Sequence, residues 1–420
     1  METPSRAVSS KLRALEDAQT ALADKLPLRT LMPYLLAAMA LALAYGSSFL
    51  LADALQAAGL QAASAGTVIG IGMVATLAGS ILAGRWAERM GILPMIACAA
   101  LVMAAAMTCF SLIGSGGMPV ACAGGLLLGL GWAIFYMLAP IQIVQCLKPT
   151  ARLEAFTLLS GAQMLGMGLA APLGHWLAQQ WGGISAVFAL YAGVCFMACG
   201  LILLAKRRFA LLPQLASRAV ALSWSAVAQV LETRALLPVL FMSISACTFA
   251  GLSTFQSLYA QSRGLSPDIF FIAFTVTTVV LRFTAASWIG RWPLERLALS
   301  LFTLTLCGIA LLVLNTGSAR LYIAATVLFA TGYGLTYSTL NAMAVNLAEA
   351  AKISVPVASQ VFTLGYFAGA FGFPYVAGAL IAASGVNAAL FIMLGLVASN
   401  MLVASASSTF RQLPDSRSKP

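Results

Sequence analysis

Charge is what this sequence has least of. Asp, Glu, Lys and Arg make up 8% of its 420 residues, against about 25% in a soluble globular domain, which excludes a core wrapped in a water-facing surface. His175 is the only histidine, too little for the His-rich ligand sets of zinc or copper centres. The eight cysteines (Cys98, Cys109, Cys122, Cys146, Cys195, Cys199, Cys247, Cys307) form no CxxC pair, which removes the zinc-ribbon and thioredoxin patterns. Set in apolar stretches, they read as small packing residues. No phosphate-cradling glycine loop and no nucleophile–base motif is present, so no catalytic residue, cofactor or metal site is expected.

What the sequence has instead is apolar length: 61% of it is hydrophobic. A membrane-crossing helix needs about 20 apolar residues, and twelve candidate runs can be drawn. The first six are Leu31–Ala54, Ser64–Ala83, Ile92–Ile113, Pro119–Leu147, Ala155–Leu177 and Ile184–Ala205. The second six are Ala235–Ala260, Asp268–Ile289, Leu297–Asn315, Leu321–Leu347, Ser354–Ala383 and Ala388–Ala404. They lack the alternation of a membrane β-strand. The expected fold is an all-α membrane protein of twelve spans in two six-helix bundles, 31–205 and 235–404. Residues 1–30 form a cytoplasmic segment with an interfacial helix over Ser9–Leu26, 206–234 a cytoplasmic central loop and 405–420 a cytoplasmic tail. No cleaved signal peptide is read at the start.

The scarce charges are concentrated. Gly84-Arg85-Trp86-Ala87-Glu88-Arg89-Met90-Gly91 is a polar knot between apolar runs, and Gly290-Arg291-Trp292-Pro293-Leu294-Glu295-Arg296 repeats it. An Arg at mid-membrane costs about 2.5–3.5 kcal/mol even on the lenient insertion scale, so both knots are expected as short hairpins at one face. Almost every other Lys and Arg falls on that same face. Arg263 and Arg320 lie opposite and Arg282 lies within a span. Such a bias places the charged face and both termini in the cytoplasm, so the net charge of +11 marks topology and calls for no nucleic-acid partner.

The halves repeat. Arg29, Pro33, Gly46, Ser48, Gln56 and Gly59 recur 205 residues on as Arg234, Pro238, Gly251, Ser253, Gln261 and Gly264. Gly84-Arg85-Trp86 recurs at 206, Gly129 and Gly131 at 203, and Pro172 as Pro374 at 202. Parallel repeats of this kind enclose a substrate site near mid-membrane between two rocking halves. With the knot, they make the chain resemble the major facilitator superfamily over about Leu31 to Ala404. That family's loop after span 2 reads roughly G-x-L-A-D-R-x-G-R-R; here Glu88 replaces the Asp and Trp86 the Leu, and the trailing basic pair is absent. The resemblance implies a secondary transporter in the cytoplasmic (inner) membrane, working by alternating access as a monomer among lipids.

From the knots, Gly84, Arg85, Glu88, Arg89, Gly91, Gly290, Arg291, Glu295 and Arg296 are expected to form a cytoplasmic gate. Glycines permit the turn, and the charges can pair with opposite helix ends in one arrangement of the halves only. Spans 1, 4, 7 and 10 line the cavity in the family, which brings in Tyr45, Trp132, Tyr136, Gln142, Gln256, Tyr333, Tyr337 and Asn341, a lining suited to an amphipathic solute. Asp53 and His175, on spans that neighbour each other in the family, can form a protonatable pair, or be separately hydrogen-bonded and solvated. Arg282 either snorkels to Glu154 or Glu349 or faces the cavity and holds an anionic group. In the drug exporters of the family an Arg stands where this chain has Gly125, and their span-5 motif is only partly met by Ala171-Pro172-Leu173-Gly174-His175-Trp176. The expected activity is export of a small organic molecule, a drug-like compound or a secreted metabolite such as a siderophore, with protons as coupling ion. Import of a sugar or organic acid is the alternative, with a membrane-embedded enzyme or receptor further off.

Overall fold

The computed structural model describes residues 28–146, 149–210, 222–284 and 292–407. The surface helix expected over Ser9–Leu26, most of the 405–420 tail, and Gly290 and Arg291 of the second knot lie outside them. Hydrocarbon offers no partner to a backbone N–H or C=O, and a helix alone satisfies them within one segment. Among the described residues all regular structure is helical.

Span 1 is Leu28–Gly46, continued through a 3-10 turn (Ser47–Leu50) into Leu51–Ala57. Spans 2 to 6 are Ala65–Met90, Ile92–Ser111, Ile113–Cys146, Pro149–Gln180 and Ile184–Phe209. Span 7 is Leu236–Thr254 with Gln256–Gln261. Spans 8 to 12 are Asp268–Thr284, Leu294–Leu314, Ala319–Ala350, Val355–Ser384 and Val386–Ala406. They form two pseudo-symmetric six-helix bundles. The repeat extends to the backbone: span 1 is interrupted at Leu50 (φ −90°, ψ −2°) and span 7 at Phe255 (φ −110°, ψ 20°), again 205 residues apart. An even number of spans puts the start of span 1 and the end of span 12 on one face, called here the terminal face, with the far face opposite.

The first knot differs from the expected hairpin. Span 2 stays helical through Met90, and Gly91 alone, at φ +89°, turns the chain into Ile92. Gly84, expected to help the turn, is buried inside the helix. The helix continues through Arg85, Glu88 and Arg89, all three exposed. In the second knot Glu295 and Arg296 likewise belong to a helix, the first turn of span 9.

The two halves meet along two seams. On one, spans 5 and 8 run antiparallel and touch at His175 with Asp268, at Gly168 with Thr275, and at Ser160 with Arg282. Steps of seven or eight residues are about two helical turns, so these contacts lie on one face of each helix. Gly168 is required there, since a Cβ would run into the Thr275 side chain. On the other seam, span 2 meets span 11: a Cβ at Gly66 would collide with the Pro374 carbonyl, and one at Gly70 would sit 2.8 Å from Tyr375 Cβ. Small residues at such crossings let helices approach closely where no hydrophobic force drives them together.

Candidate functional site

Near the far face, four helix segments converge on one imidazole. His175 Nδ1 lies 2.6 Å from Asp268 Oδ1, and its Nε2 lies 3.2 Å from Asp53 Oδ2. Ser257 Oγ donates to the same Asp53 oxygen at 2.7 Å. Asp53 and His175 come from the first half, Ser257 and Asp268 from the second, so two of these three contacts cross between the halves. Local structure presents each group. Asp53 sits in the first turn of the segment that restarts after the break in span 1, and Asp268 opens span 8 directly after Pro267; both carboxylates therefore face positive helix ends. Ser257 follows the matching break in span 7. His175 lies one turn beyond Pro172, on the same seam face as Gly168. The side chains of His175, Asp53 and Asp268 are 19%, 17% and 32% exposed, so the cluster is largely withdrawn from water.

The chemistry of that arrangement is restrictive. A neutral imidazole has one N–H and one lone pair, and each ring nitrogen here faces a carboxylate oxygen. Only the imidazolium donates to both; the alternative is a protonated carboxyl donating to the bare nitrogen. Either way the closed cluster holds a proton that separated, ionised partners would not need.

Between the seams, the middle of the molecule is filled with aromatic rings. Tyr45 stacks on Trp132 at 4.2 Å between centroids and leans on Phe371 of the other half at 5.9 Å. Phe49 stacks on Phe271 at 5.4 Å across the halves, while Tyr333 stacks on Phe249 at 4.7 Å. Tyr136 lies over Tyr366 at 6.0 Å and meets Tyr337 at 6.5 Å. The cavity beside Tyr45, Phe49, Phe249 and Phe371 is about 10 Å³, room for about one water. A solute larger than water enters this cavity only when the rings around it move apart.

Arg282 reaches sideways from span 8. Its Nη1 donates to Ser160 Oγ of span 5, and its Nε is buried with no partner among the described residues. This corrects one expected contact: Glu349 is exposed and no ion pair joins it to Arg282. The side chain of Glu154 lies outside the described residues. The seam explains the outcome, because span 5 offers a hydroxyl at the depth of Arg282, whereas Glu349 sits at the terminal-face end of span 10.

The sequence profile of the Major Facilitator Superfamily matches residues 33–373. The chain belongs to that superfamily. Solved structures agree on the fold. An auto-inhibited peptide transporter of the POT family matches with a TM-score of 0.67 at 16% identity, covering 93% of this chain and 99% of its own. The human organic anion transporter MFSD10 (TETRAN) matches with a TM-score of 0.65 at 16% identity, covering 90% and 100%. Identity this low shows the fold alone. No curated protein matches in sequence. The chain is therefore a multi-pass membrane protein of a transporter superfamily, a secondary transporter by fold and family.

Within this superfamily member, the expected site residues divide. The structure brings Asp53 to His175, and Tyr45, Trp132, Tyr136 and Tyr337 into the central ring cluster. Tyr337 also shares a 3.0 Å hydrogen bond with Thr363. Tyr333 packs inside its own half. Gln142 is held by Cys146 at 3.0 Å, one turn along its own helix, and Gln256 by the Tyr322 hydroxyl; neither bond crosses between the halves. Asn341 keeps a buried Oδ1 without a partner among the described residues. Arg85, Glu88 and Arg89 are exposed and form no ion pair among the described residues. Sequence reasoning missed Asp268, Ser257, Phe271 and Tyr366. Asp268 was findable, as the carboxylate that opens its span at the same face as Asp53; Tyr366 carried no signal, because span 11 was not among the lining spans.

Proposed function

We propose that this transporter exports a small organic molecule across the cytoplasmic membrane in exchange for protons, with its terminal face in the cytoplasm. The observation that carries the reading is the imidazole of His175 held between carboxylates of both halves. In an exchanger, the proton and the cargo must each change the relative stability of the two arrangements. A cluster that closes only with a proton links protonation to closure of the outer face. A proton taken up from outside then favours the arrangement that opens inward and collects cargo. The aromatic middle supplies binding area for an amphipathic solute with few fixed polar groups, which favours a drug-like compound or secreted metabolite over a sugar.

Orientation rests on the basic residues at the terminal face, Arg85, Arg89, Lys206, Arg207 and Arg208 among them, which follow the positive-inside bias. The exposed ends of spans 2 and 9, with Glu88, Arg89, Glu295 and Arg296, take the part of the cytoplasmic gate. They are free to pair when the inner face closes.

Metabolite profiling of cells with and without the protein tests the reading. The expected result is one compound retained inside cells that lack it, released by wild type and retained again when a protonophore collapses the proton gradient. Unchanged distribution of every compound, or accumulation inside only when the protein is present, overturns export.

A further inference from the structure

We propose that Arg282 is the counter-ion for a negative group on the transported molecule, so that the cargo is an organic anion: a carboxylate, sulfonate or phosphate on an aromatic or otherwise apolar body. The inference rests on the transporter reading and narrows its substrate class. Its first support is position. Span 8 leaves the far face at Asp268, and Arg282 lies fourteen residues further on, about 21 Å deeper at 1.5 Å per residue. Among the described residues every other Asp, Glu, Lys, Arg or His lies in the far-face cluster, in the loops or near a span end. Arg282, in the last described turn of span 8, is the one charged residue among them that reaches across the seam between the halves away from that cluster.

The second support is incomplete satisfaction. A guanidinium has five N–H donors. Here one nitrogen is satisfied by a neutral hydroxyl, that of Ser160, and the buried Nε has no partner among the described residues. Buried charges are ordinarily paired, because an isolated one forfeits its hydration. Among the described residues Arg282 meets only a neutral partner, and an anionic group on the cargo would supply the negative one.

The third support is independent of Arg282. Trp132, fully buried on span 4, has an indole Nε1 that also lacks a partner among the described residues. It packs at 5.5 Å between ring centroids on Tyr136, which in turn lies over Tyr366 of the other half at 6.0 Å. Two buried donors are thus without partners among the described residues, one of them inside an aromatic cluster built from both halves. An anion with a flat apolar body satisfies both demands: acceptor oxygens for the donors and a surface for Tyr136, Tyr337 and Tyr366. A planar oxyanion also suits the fork of a guanidinium better than a point acceptor does. Such a cargo fits outward movement, since a membrane potential negative inside drives an anion out.

The test uses full-length protein in lipid nanodiscs and matched probes differing only in charge: aromatic carboxylates such as 1-naphthoate and 3-phenylpropionate, each against its amide and the corresponding amine. Binding is read by tryptophan fluorescence, with calorimetry as the second measurement. At least one carboxylate is expected to bind about tenfold or more tightly than its amide. Arg282→Gln should erase that preference by weakening the acid while leaving the amide unchanged, and Arg282→Lys should retain part of it. The proposal is overturned if no carboxylate in the panel outbinds its amide, or if Arg282→Gln binds the acids as wild type does. Binding of amides or amines that ignores Arg282, together with a compound exported in the cell experiment, leaves the transporter reading standing and removes only the anion. Anion binding without any exported compound removes export instead.

Discussion

Replacing His175 by Gln removes the charge-assisted bonds of the far-face cluster while keeping a side chain able to make one neutral hydrogen bond. In the closed arrangement His175 spans 2.6 Å to Asp268 of the second half. A hydrogen bond to a charged group contributes about 1.5–3 kcal/mol, and partial exposure of both partners places this one toward the lower end. Asp53, still bonded to Ser257, would then share the site with Asp268 and no cation, which weakens closure further. Since about 1.4 kcal/mol is a factor of ten in an equilibrium, the open population at the far face should rise about ten- to a hundredfold. Double electron–electron resonance reads this directly, with spin labels at Gln61→Cys and Ser262→Cys, both exposed near the far face, in a background without the native cysteines. Closure takes up a proton, because two ring nitrogens that each face a carboxylate oxygen need either an imidazolium or one protonated carboxyl. By linkage, raising the pH should lengthen the wild-type distance and acid should shorten it, while His175→Gln stays long across the range. A distance distribution that ignores both pH and His175→Gln would refute the latch and, with it, the proton-exchange reading.

Four further outcomes follow from other parts of the structure. Asp268→Asn should lengthen the same distance and flatten its pH response, whereas Asp53→Asn, which leaves the His175–Asp268 bond between the halves intact, should do so less. Gly168→Val should force spans 5 and 8 apart at Thr275, costing about 1–3 kcal/mol by overpacking and abolishing transport, as read by thermal unfolding and export. Arg282→Met should raise the thermal midpoint of ligand-free protein, because burial of an Arg with only a neutral partner costs about 2.5–3.5 kcal/mol on the insertion scale; a lowered midpoint would mean the guanidinium is structurally satisfied. Gly91→Ala should lower stability by about 1–2 kcal/mol, since Gly91 holds φ +89°, where a Cβ crowds the backbone.

Particular elements separate what could be read early from what could not. The number and order of the spans were legible because apolar length is a local property and hydrocarbon rejects anything but a helix there. The twofold repeat was legible because duplicated residues kept their spacing, whereas the paired breaks at Leu50 and Phe255 came only with the structure. Helix ends were legible less well: the first knot read as a hairpin from its charge, yet water tolerates a helix that runs on through Met90. Asp53 and His175 were both named as candidates, but Asp268 entered only with the fold, because residues 175 and 268 are brought together by an antiparallel packing of spans 5 and 8 that neither span encodes alone.

Taken by itself, the sequence determined a membrane-embedded helical chain with an internal repeat, the face that carries its basic residues, and the few polar groups able to act within it. Each of these follows from composition and from spacing along a single helix. Tertiary structure alone decided which of those groups meet: that one imidazole bridges carboxylates of both halves, that Arg282 turns to Ser160 and away from Glu349, and that the central aromatic rings close upon one another. Those outcomes depend on how two bundles are set against each other. Small residues such as Gly66, Gly70 and Gly168 fix that setting through contacts that exist only once the helices have packed.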